Sequence, residues 1–258
     1  MNSVKSIIFR WMFAICDACV KLLLSRKVCM KVRSGPFEGM CYGVHAVGSV
    51  LTPKLLGTYE KELAAVIEHL PVFDLVIDIG AAEGWYAVGL LYRKIARKVV
   101  AFELTDSGQK ACRDTAGKNA VAGRLEVRGK CTVDELRLLL CSLPRTGYRV
   151  LIISDCEGYE NELFTADMLK LCRKAHLIIE THDSFVPGTH MRLAQELDSS
   201  HIVTHIQPVR RSRSDIISSP ANPAPWWLRI SVIRRLLLLE RRGPGIAWIY
   251  AVPKIEFE

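Results

Sequence analysis

Apolar residues occur along the middle of the chain in short continuous runs that alternate with stretches of helical spacing. A run of about four to eight apolar, often branched residues indicates a strand buried on both faces, whereas apolar residues three and four positions apart indicate an amphipathic helix. Runs of the first kind predict seven strands, at residues 74–80, 98–103, 124–129, 149–155, 175–183, 201–208 and 245–253. The alternation predicts an α/β, Rossmann-like fold: a seven-stranded, mostly parallel sheet with helices on both faces.

Helices are predicted between these strands. Residues 58–70 have apolar side chains at helical spacing with charges between them, and Pro71 ends the segment. The other predicted helices cover residues 85–93, 107–120, 133–141, 160–172 and 190–197. Because domains usually contain on the order of 100 to 200 residues, this chain is long enough for one domain with extensions. We assign residues 58–258 to that domain and residues 1–57 to an N-terminal helix and lead-in segment.

Two segments do not follow the strand and helix alternation. Residues 7–24 are apolar but contain Arg10, Asp17 and Lys21, and a charge at the bilayer centre costs about 2.5–3.5 kcal/mol on insertion scales. We interpret this stretch as an amphipathic helix that packs on the domain; the alternative is peripheral contact with a membrane. Residues 210–244 begin with an Arg-, Ser- and Pro-rich patch and continue as an apolar, basic run, which predicts a lid or insertion before the last strand.

Charge and cysteine content limit the partner and the compartment. The net charge of +8 is concentrated towards the two ends of the chain, which fits an anionic membrane or an anionic substrate at least as well as nucleic acid. The chain has no recognisable RNA-binding module, so nucleic acid is the less favoured partner. The nine cysteines are odd in number and scattered through apolar runs, which indicates a reducing, cytoplasmic environment.

The turn after the first predicted strand carries candidate chemistry. Asp78 ends the strand, and Gly80 and Gly84 lie in the turn, where missing side chains let a ligand approach backbone N–H groups at a helix N-terminus. A dinucleotide site needs the denser G-x-G-x-x-G, and Glu83 inside this loop would repel a pyrophosphate. The turn therefore favours a positively charged nucleoside without phosphates, which describes S-adenosylmethionine (SAM). Asp78 would face its amino acid end.

Glu103 follows the second strand, where doubly wound nucleotide sites place an acid that accepts hydrogen bonds from both ribose hydroxyls. A glycine turn alone is weak evidence, but the turn, the acid and the strand order together predict a SAM site. The predicted site also includes Ala81, Tyr86 and Cys131.

The segments VIDIGAAEGWYAV, VVAFE, DCEGYENELF and IIETHD, in that order and spacing, resemble the FkbM-type methyltransferase family. The resemblance covers roughly residues 58–207. It implies a class I methyltransferase fold, SAM as the methyl donor and, in many members, O-methylation of sugar or secondary-metabolite hydroxyls. It matches Asp78, Gly80, Gly84 and Glu103 to the cofactor motifs of the family.

The same resemblance matches Asp155, Glu157 and Gly158 to an acidic motif after the fourth strand. This chain differs in having Cys156 where many relatives have an apolar residue, and Ser154 precedes the acid.

Acidic residues and His182 gather at the predicted carboxyl ends of the fourth and fifth strands, where doubly wound sheets bind ligands. In one hypothesis, His182 or Asp155 is the general base that takes a proton from an acceptor hydroxyl. In a second, Asp155, Glu157 and Asp183, together with His182, hold a divalent cation such as Mg²⁺ that lowers the pKa of the acceptor. In a third, Glu157 and Glu160 only cap and solvate the helix they begin.

The leading functional hypothesis is SAM-dependent O-methylation of a hydroxyl on a glycan or small secondary metabolite. Methylation of RNA or protein is less favoured, because DCEG stands where an N/D-P-P-Y-type tetrapeptide would be expected. A non-catalytic binding protein of the same fold would be expected to have lost its cofactor residues, yet Asp78, Gly80, Gly84 and Glu103 are all present.

Overall fold

The computed structural model describes residues 30–43, 50–144, 146–212, 215 and 245–254. The strands are β1 (Met30–Lys31), β2 (Cys41–Tyr42), β3 (Phe73–Ile79), β4 (Ala96–Phe102), β5 (Leu125–Arg128), β6 (Val150–Ser154), β7 (His176–His182), β8 (His201–Ile206) and β9 (Ile246–Pro253). The helices are α1 (Leu51–Leu56), α2 (Ala64–His69), α3 (Trp85–Tyr92), α4 (Asp106–Lys118), α5 (Val133–Cys141), α6 (Glu160–Leu163), α7 (Ala166–Leu171) and α8 (Thr189–Leu197). The predicted helix at residues 7–24 and most of the predicted insertion at 210–244 lie outside the described residues.

The predicted seven-stranded sheet is confirmed, with the strand order β5-β4-β3-β6-β7-β9-β8. The pairs β3–β4, β3–β6, β4–β5 and β6–β7 are parallel, whereas β9 is antiparallel to both β7 and β8. From β3 the chain proceeds outward through β4 and β5, and then returns to β6 on the other side of β3. The carboxyl ends of β3 and β6 therefore flank the switch point, where open α/β sheets form a ligand crevice.

The central strands are apolar because both faces of the sheet are covered. In β3, Leu75, Ile77 and Ile79 belong to one buried cluster, whereas Val76 belongs to the other. Helices α3 and α4 pack in the Val76 cluster, and α5, α7 and α8 pack in the opposite one. A strand buried in this way shows a continuous apolar run rather than an alternating pattern.

Residues before the predicted domain share its core. The β1–β2 pair and α1 contribute Met30, Tyr42, Leu51 and Leu55 to the same buried cluster as Val76. These elements were not predicted, because two-residue strands and a six-residue helix are too short to give a periodic signal.

Two predicted helices differ in the structure. Residues 58–70 form a short 3₁₀ turn at Lys61–Leu63 followed by α2, because Glu60 has a left-handed backbone with φ of 46°. The predicted helix at 160–172 is two helices, α6 and α7. Phe164 leaves the helical region with ψ of 66°, and the side chain of Thr165 accepts a hydrogen bond from the N–H of Met168 to begin α7.

Within the described part of the chain, no helix is long and apolar enough to cross a membrane. Cys41 is disulfide-bonded, whereas Cys112, Cys131, Cys141, Cys156 and Cys172 are free thiols. The reducing, cytoplasmic compartment, which the sequence suggested on the assumption of unpaired cysteines, stays a prediction.

Candidate cofactor and acceptor site

A cavity of about 520 Å³ lies at the carboxyl ends of β3, β4, β5 and β6. The residues that line it include Asp78, Glu103, Cys131 and Asp155, which lie at these four strand ends or in the loops that follow them. This volume is in the range of small-molecule sites, which span about 300–1,000 Å³. The cavity therefore lies at the switch point of the sheet, and its acidic residues Asp78 and Asp155 are 77 positions apart in the sequence.

The glycines of the β3–α3 loop serve chain packing. Gly80 has φ of 86°, and a Cβ built on it would lie 1.8 Å from the carbonyl oxygen of Asp155. Gly84 has φ of 89°, and its Cβ would meet Val88 and Cys112 at 2.8 and 2.9 Å. Gly80 lines the cavity and Gly84 does not. A left-handed backbone and close contact between loops are thus sufficient physical reasons for these glycines, and the ligand approach that the sequence suggested stays a prediction.

Asp78 is a buried acid that faces the cavity. It is 2% exposed, and its Oδ2 atom has no hydrogen-bond partner among the described residues. Burial raises the pKa of Asp78 to about 7; a hydrogen bond from the backbone of Ala87 opposes this rise, and the nearby charges of Asp155, Glu103 and Glu60 add to it. A buried carboxylate with one oxygen that accepts no hydrogen bond is stabilised by a cationic ligand.

Glu103 is fixed at the end of β4 by the loops beside it. Its Oε2 accepts the N–H of Ala82 at 3.0 Å, and its Oε1 accepts the N–H and hydroxyl of Thr105 at 2.8 and 2.7 Å. A Cβ on Gly108 would lie 2.7 Å from the Glu103 carboxyl, so α4 needs a glycine there. The carboxylate is 8% exposed and lines the cavity, as the ribose assignment requires.

Glu83 has a different role from the one the sequence suggested. Its carboxylate is buried and accepts hydrogen bonds from Lys54 Nζ and the Tyr42 hydroxyl, each at 2.5 Å. It does not line the cavity, and Lys54 offsets its charge, so the argument that Glu83 repels a pyrophosphate is wrong. The negative character of the cavity comes instead from Asp78, Glu103 and Asp155, together with Glu157.

The remaining predicted cofactor residues, Ala81, Tyr86 and Cys131, all line the cavity. The Tyr86 hydroxyl donates a hydrogen bond to Glu60, which orients that ring. Burial raises the pKa of the Cys131 thiol to about 12, so Cys131 is a neutral wall residue.

Sequence reasoning missed several residues that line the same cavity. These are Lys54, Tyr59, Leu104, Lys130 and Tyr159. Lys54 lies in the lead-in segment, and Leu104 and Lys130 lie in loops, where neither periodicity nor a motif marks them. Tyr59 lies in the predicted helix 58–70 and Tyr159 in the segment DCEGYENELF, but nothing in either pattern marks the aromatic side chain as a cavity residue. Lys130 directly precedes the predicted cofactor residue Cys131, and this proximity was the one sequence signal that could have placed it at the cavity.

The predicted catalytic residues meet beside the cavity. His182, the last residue of β7, is 2% exposed, and its Nε2 lies 3.6 Å from carboxylate oxygens of Asp155, Glu157 and Glu180. Its Nδ1 donates to Glu160 Oε1 at 3.1 Å. Asp155 and Glu157 line the cavity, whereas His182 does not. His182 therefore lies behind these two carboxylates and holds them from the protein side.

The protonation of this group follows from its contacts. Burial lowers the pKa of His182, but the hydrogen bond and charge of Glu160 and the charges of Asp155 and Glu157 outweigh burial, so the net shift is upward. For Glu160 the effects have the opposite signs. Burial raises its pKa, but its bonds to His182 and to backbone N–H groups outweigh burial, so the net pKa is lowered. His182 is thus better suited to be a cation between carboxylates than to accept a proton.

Glu160 does not merely cap and solvate a helix, as the third hypothesis supposed. It is fully buried and accepts the N–H groups of Cys156 and Gly158 at 3.0 and 2.9 Å, as well as bonding to His182. Glu157 and Gly158 both have positive φ, 54° and 100°. Glu160 therefore stabilises the left-handed turn that carries Asp155 and Glu157 to the cavity.

The carboxylates could converge on a cation in two ways. The groups Asp155–Glu157–His182 and Glu60–Asp155–Glu180 each place ligand atoms within 4.8 Å of one another. Asp183, which the sequence suggested as a ligand, belongs to neither group among the described residues, and its Oδ1 accepts the N–H of His190 at 2.9 Å. Asp155, Glu157 and His182 thus converge as the cation hypothesis expected, whereas Glu60 and Glu180 were not predicted as ligands.

Three solved structures are similar to this chain over much of its length. The METTL16 MTase domain is 11% identical, with a TM-score of 0.50, over 93% of this chain and 80% of that chain. The O-methyltransferase TomG from Streptomyces achromogenes, in complex with SAM, is 21% identical, with a TM-score of 0.46, over 59% of this chain and 74% of that chain. The O-methyltransferase from Bacillus cereus, in complex with SAH, is 15% identical, with a TM-score of 0.43, over 69% of this chain and 73% of that chain.

The likeness to the METTL16 MTase domain confirms the predicted Rossmann-like, class I methyltransferase fold. No family model and no curated protein sequence matches this chain. The FkbM-type resemblance therefore stays a prediction.

Proposed function

We propose that this protein is a SAM-dependent methyltransferase that methylates a hydroxyl of a glycan or small secondary metabolite. The observation that carries the proposal is the buried Oδ2 of Asp78, which has no hydrogen-bond partner in the described part of the chain and lies in one cavity with Glu103 and Asp155. The acidic side chains of this cavity suit a nucleoside that carries positive charge. Asp78 would pair with the ammonium group of SAM, and Glu103 would accept the ribose hydroxyls.

When bound, SAM supplies an electrophilic methyl group on its sulfonium sulfur. The protein must hold the acceptor oxygen in line with that methyl group and remove the proton of the acceptor. We assign the base role to Asp155, because it lines the cavity and its Oδ1 has no hydrogen-bond partner among the described residues. His182 and Glu160 position Asp155, since His182 Nε2 lies 3.6 Å from Asp155 Oδ1.

A second candidate mechanism uses a divalent cation, such as Mg²⁺, held by Asp155, Glu157 and His182. The observation that favours it is the convergence of their ligand atoms within 4.8 Å. Such a cation would lower the pKa of the acceptor hydroxyl. It would require His182 to be neutral, so metal binding would release a proton.

Membership of the FkbM-type family, the hydroxyl acceptor and a cytoplasmic location belong to the same proposal, supported by the motif order from VIDIGAAEGWYAV to IIETHD. Peripheral membrane contact through residues 7–24 is the alternative to a freely diffusing enzyme. Within this proposal, nucleic acid remains the less favoured acceptor.

The cofactor claim is tested by calorimetric titration of the full chain with SAM and with S-adenosylhomocysteine. We expect saturable binding that Asp78→Asn weakens at least about tenfold, the effect of losing one charge-assisted hydrogen bond. The matched control is Asp114→Asn, which removes an exposed carboxylate from α4 and leaves affinity unchanged. A folded wild-type protein that binds neither ligand would overturn the proposed function.

The base assignment is tested with a panel of hydroxylated glycans and small metabolites, in the presence of Mg²⁺ or of EDTA. Asp155→Asn should retain cofactor binding and lose about 10²–10⁴-fold in kcat. Activity that survives EDTA favours the base mechanism, and activity that requires added Mg²⁺ favours the cation mechanism. An active Asp155→Asn enzyme contradicts both roles for this residue.

A further inference from the structure

Lys54 is a buried cation on the wall of the cofactor cavity. It lies on α1, in the lead-in segment, and its side chain is 3% exposed. Burial of an ammonium group is costly unless the group is paired, and Lys54 is paired with Glu83. Its place on the wall of a ligand cavity raises the question of which ligand group it faces.

The position of the ammonium is fixed on several sides. Glu83 Oε1 lies 2.5 Å from Lys54 Nζ, and the Tyr42 hydroxyl holds the same carboxylate oxygen. Lys54 Nζ also lies 4.6 Å from the ring centre of Tyr59, 5.9 Å from that of Tyr42 and 6.0 Å from that of Trp85. Aromatic faces at these distances attract a cation. An ammonium has three N–H donors, so Lys54 can bond to Glu83 and to a second carboxylate at once.

The two lysines that line the cavity contact different parts of the structure. Among the described residues that line it, the cations are Lys54 and Lys130. Lys130 follows β5 and lies over the ring of Tyr159 at 4.7 Å. Lys54 instead contacts Glu83 and Trp85 at the start of α3, in the loop that follows Asp78.

We propose that Lys54 binds the α-carboxylate of the amino acid moiety of the cofactor, while Asp78 binds its ammonium group. The inference rests on the proposed function and adds a recognition residue to the same site. A buried acid and a buried base on the wall of one cavity match the two charges of an α-amino acid. The site would then distinguish SAM and S-adenosylhomocysteine from nucleosides that lack the carboxylate.

The test compares two ligands in each variant of the full chain. S-adenosylhomocysteine carries both charges, whereas its decarboxylated analogue keeps the amine and lacks the carboxylate. We expect Lys54→Met to weaken binding of S-adenosylhomocysteine by about tenfold or more, and to leave binding of the decarboxylated analogue unchanged. Lys54→Arg should largely preserve the preference.

Lys54→Met leaves Glu83 buried without this partner, so a second variant removes both charges. The double variant Lys54→Met/Glu83→Gln should show the same loss of preference, whereas Glu83→Gln alone should keep it. Because partial unfolding reduces the affinity for both ligands by the same factor, the ratio of affinities reports the carboxylate contact alone. An unchanged ratio in both Lys54→Met variants overturns the role of Lys54, whereas wild-type protein that binds neither ligand overturns the proposed function itself.

Discussion

At the scale of single residues, the site depends on carboxylates whose surroundings differ. Asp78 has a buried oxygen without a partner among the described residues, whereas both oxygens of Glu103 accept hydrogen bonds from neighbouring loops. Glu160 is buried with three donors, and its pKa is lowered although burial alone would raise it. The same residue type therefore serves as a cation-binding group, a ribose acceptor or a loop anchor, according to its partners.

Asp78 gives a pH-dependent prediction. Its pKa is raised to about 7, and the ionised form is the one that pairs with an ammonium ligand. Below this pKa, ligand binding must first release a proton, so the Kd for S-adenosylhomocysteine should fall about tenfold per pH unit as pH rises towards 7, and level off above it. Calorimetric titration at a series of pH values between about 5.5 and about 8.5 measures this dependence of Kd on pH.

The Asp78→Asn variant is the control for this titration, because it cannot ionise at position 78. Its weaker binding should be independent of pH over the same range. A wild-type Kd that does not change with pH would show that Asp78 is not the group that binds the ammonium.

Gly80 gives a prediction about stability. In Gly80→Ala, the new Cβ would meet the Asp155 carbonyl at 1.8 Å, and the left-handed φ adds strain. We expect the free energy of unfolding to fall by at least about 3 kcal/mol in urea titrations. The matched control is Gly117→Ala in α4, where no atom lies within 4 Å of the new Cβ; it should raise stability by about 0.5–1 kcal/mol. Equal effects of the two substitutions would contradict the contact between the β3–α3 loop and Asp155.

At the scale of elements, local signals set where most helices begin and end. Helix α5 begins at the predicted residue because Thr132 and Glu135 form a capping box. The break between α6 and α7 was missed, because the apolar spacing continues through Phe164 while its side chain is fully buried in the core. A capping residue inside an apolar periodic pattern is a weak signal until tertiary packing selects it.

The role of Thr165 in beginning α7 after the break that follows α6 can be tested by substitution. In Thr165→Ala, α7 loses the hydroxyl that accepts the N–H of Met168 at 3.3 Å, which should lower the free energy of unfolding by about 1 kcal/mol. Lys170→Ala in the same helix removes an exposed ion pair with Asp167 and should change stability little. Urea unfolding of both variants measures the two changes in the free energy of unfolding. If Thr165→Ala leaves this free energy unchanged, α7 does not depend on its cap.

At the scale of the whole molecule, the lead-in segment and the sheet form one core and one site. Tyr42 and Lys54 of the lead-in segment reach Glu83 in the β3–α3 loop. Asn119, just after α4, accepts the N–H of Cys41 at 2.8 Å and donates to its carbonyl at 2.7 Å. These contacts join β2 to the α/β domain across 78 positions of sequence.

Asn119 therefore gives a prediction about the assembly of the fold. Asn119→Ala removes both bonds to Cys41 and should lower the free energy of unfolding by about 1–3 kcal/mol. Lys118→Ala, an exposed neighbour on α4, is the matched control and should have little effect. If the two variants unfold at the same urea concentration, the bonds between Asn119 and Cys41 do not contribute to the stability of the domain.

The amino-acid sequence was enough to predict the seven strands of the large sheet, their mostly parallel arrangement and the placement of Asp78, Glu103 and Asp155 at strand ends. It could do so because periodicity and strand-end position are local properties of the chain. The folded structure was needed to show that Glu83 is neutralised by Lys54, that His182 lies behind Asp155 and that Asp183 bonds to the backbone of His190. These roles depend on contacts between residues far apart in the chain, and charge partners, burial and pKa values follow from those contacts rather than from spacing along the sequence.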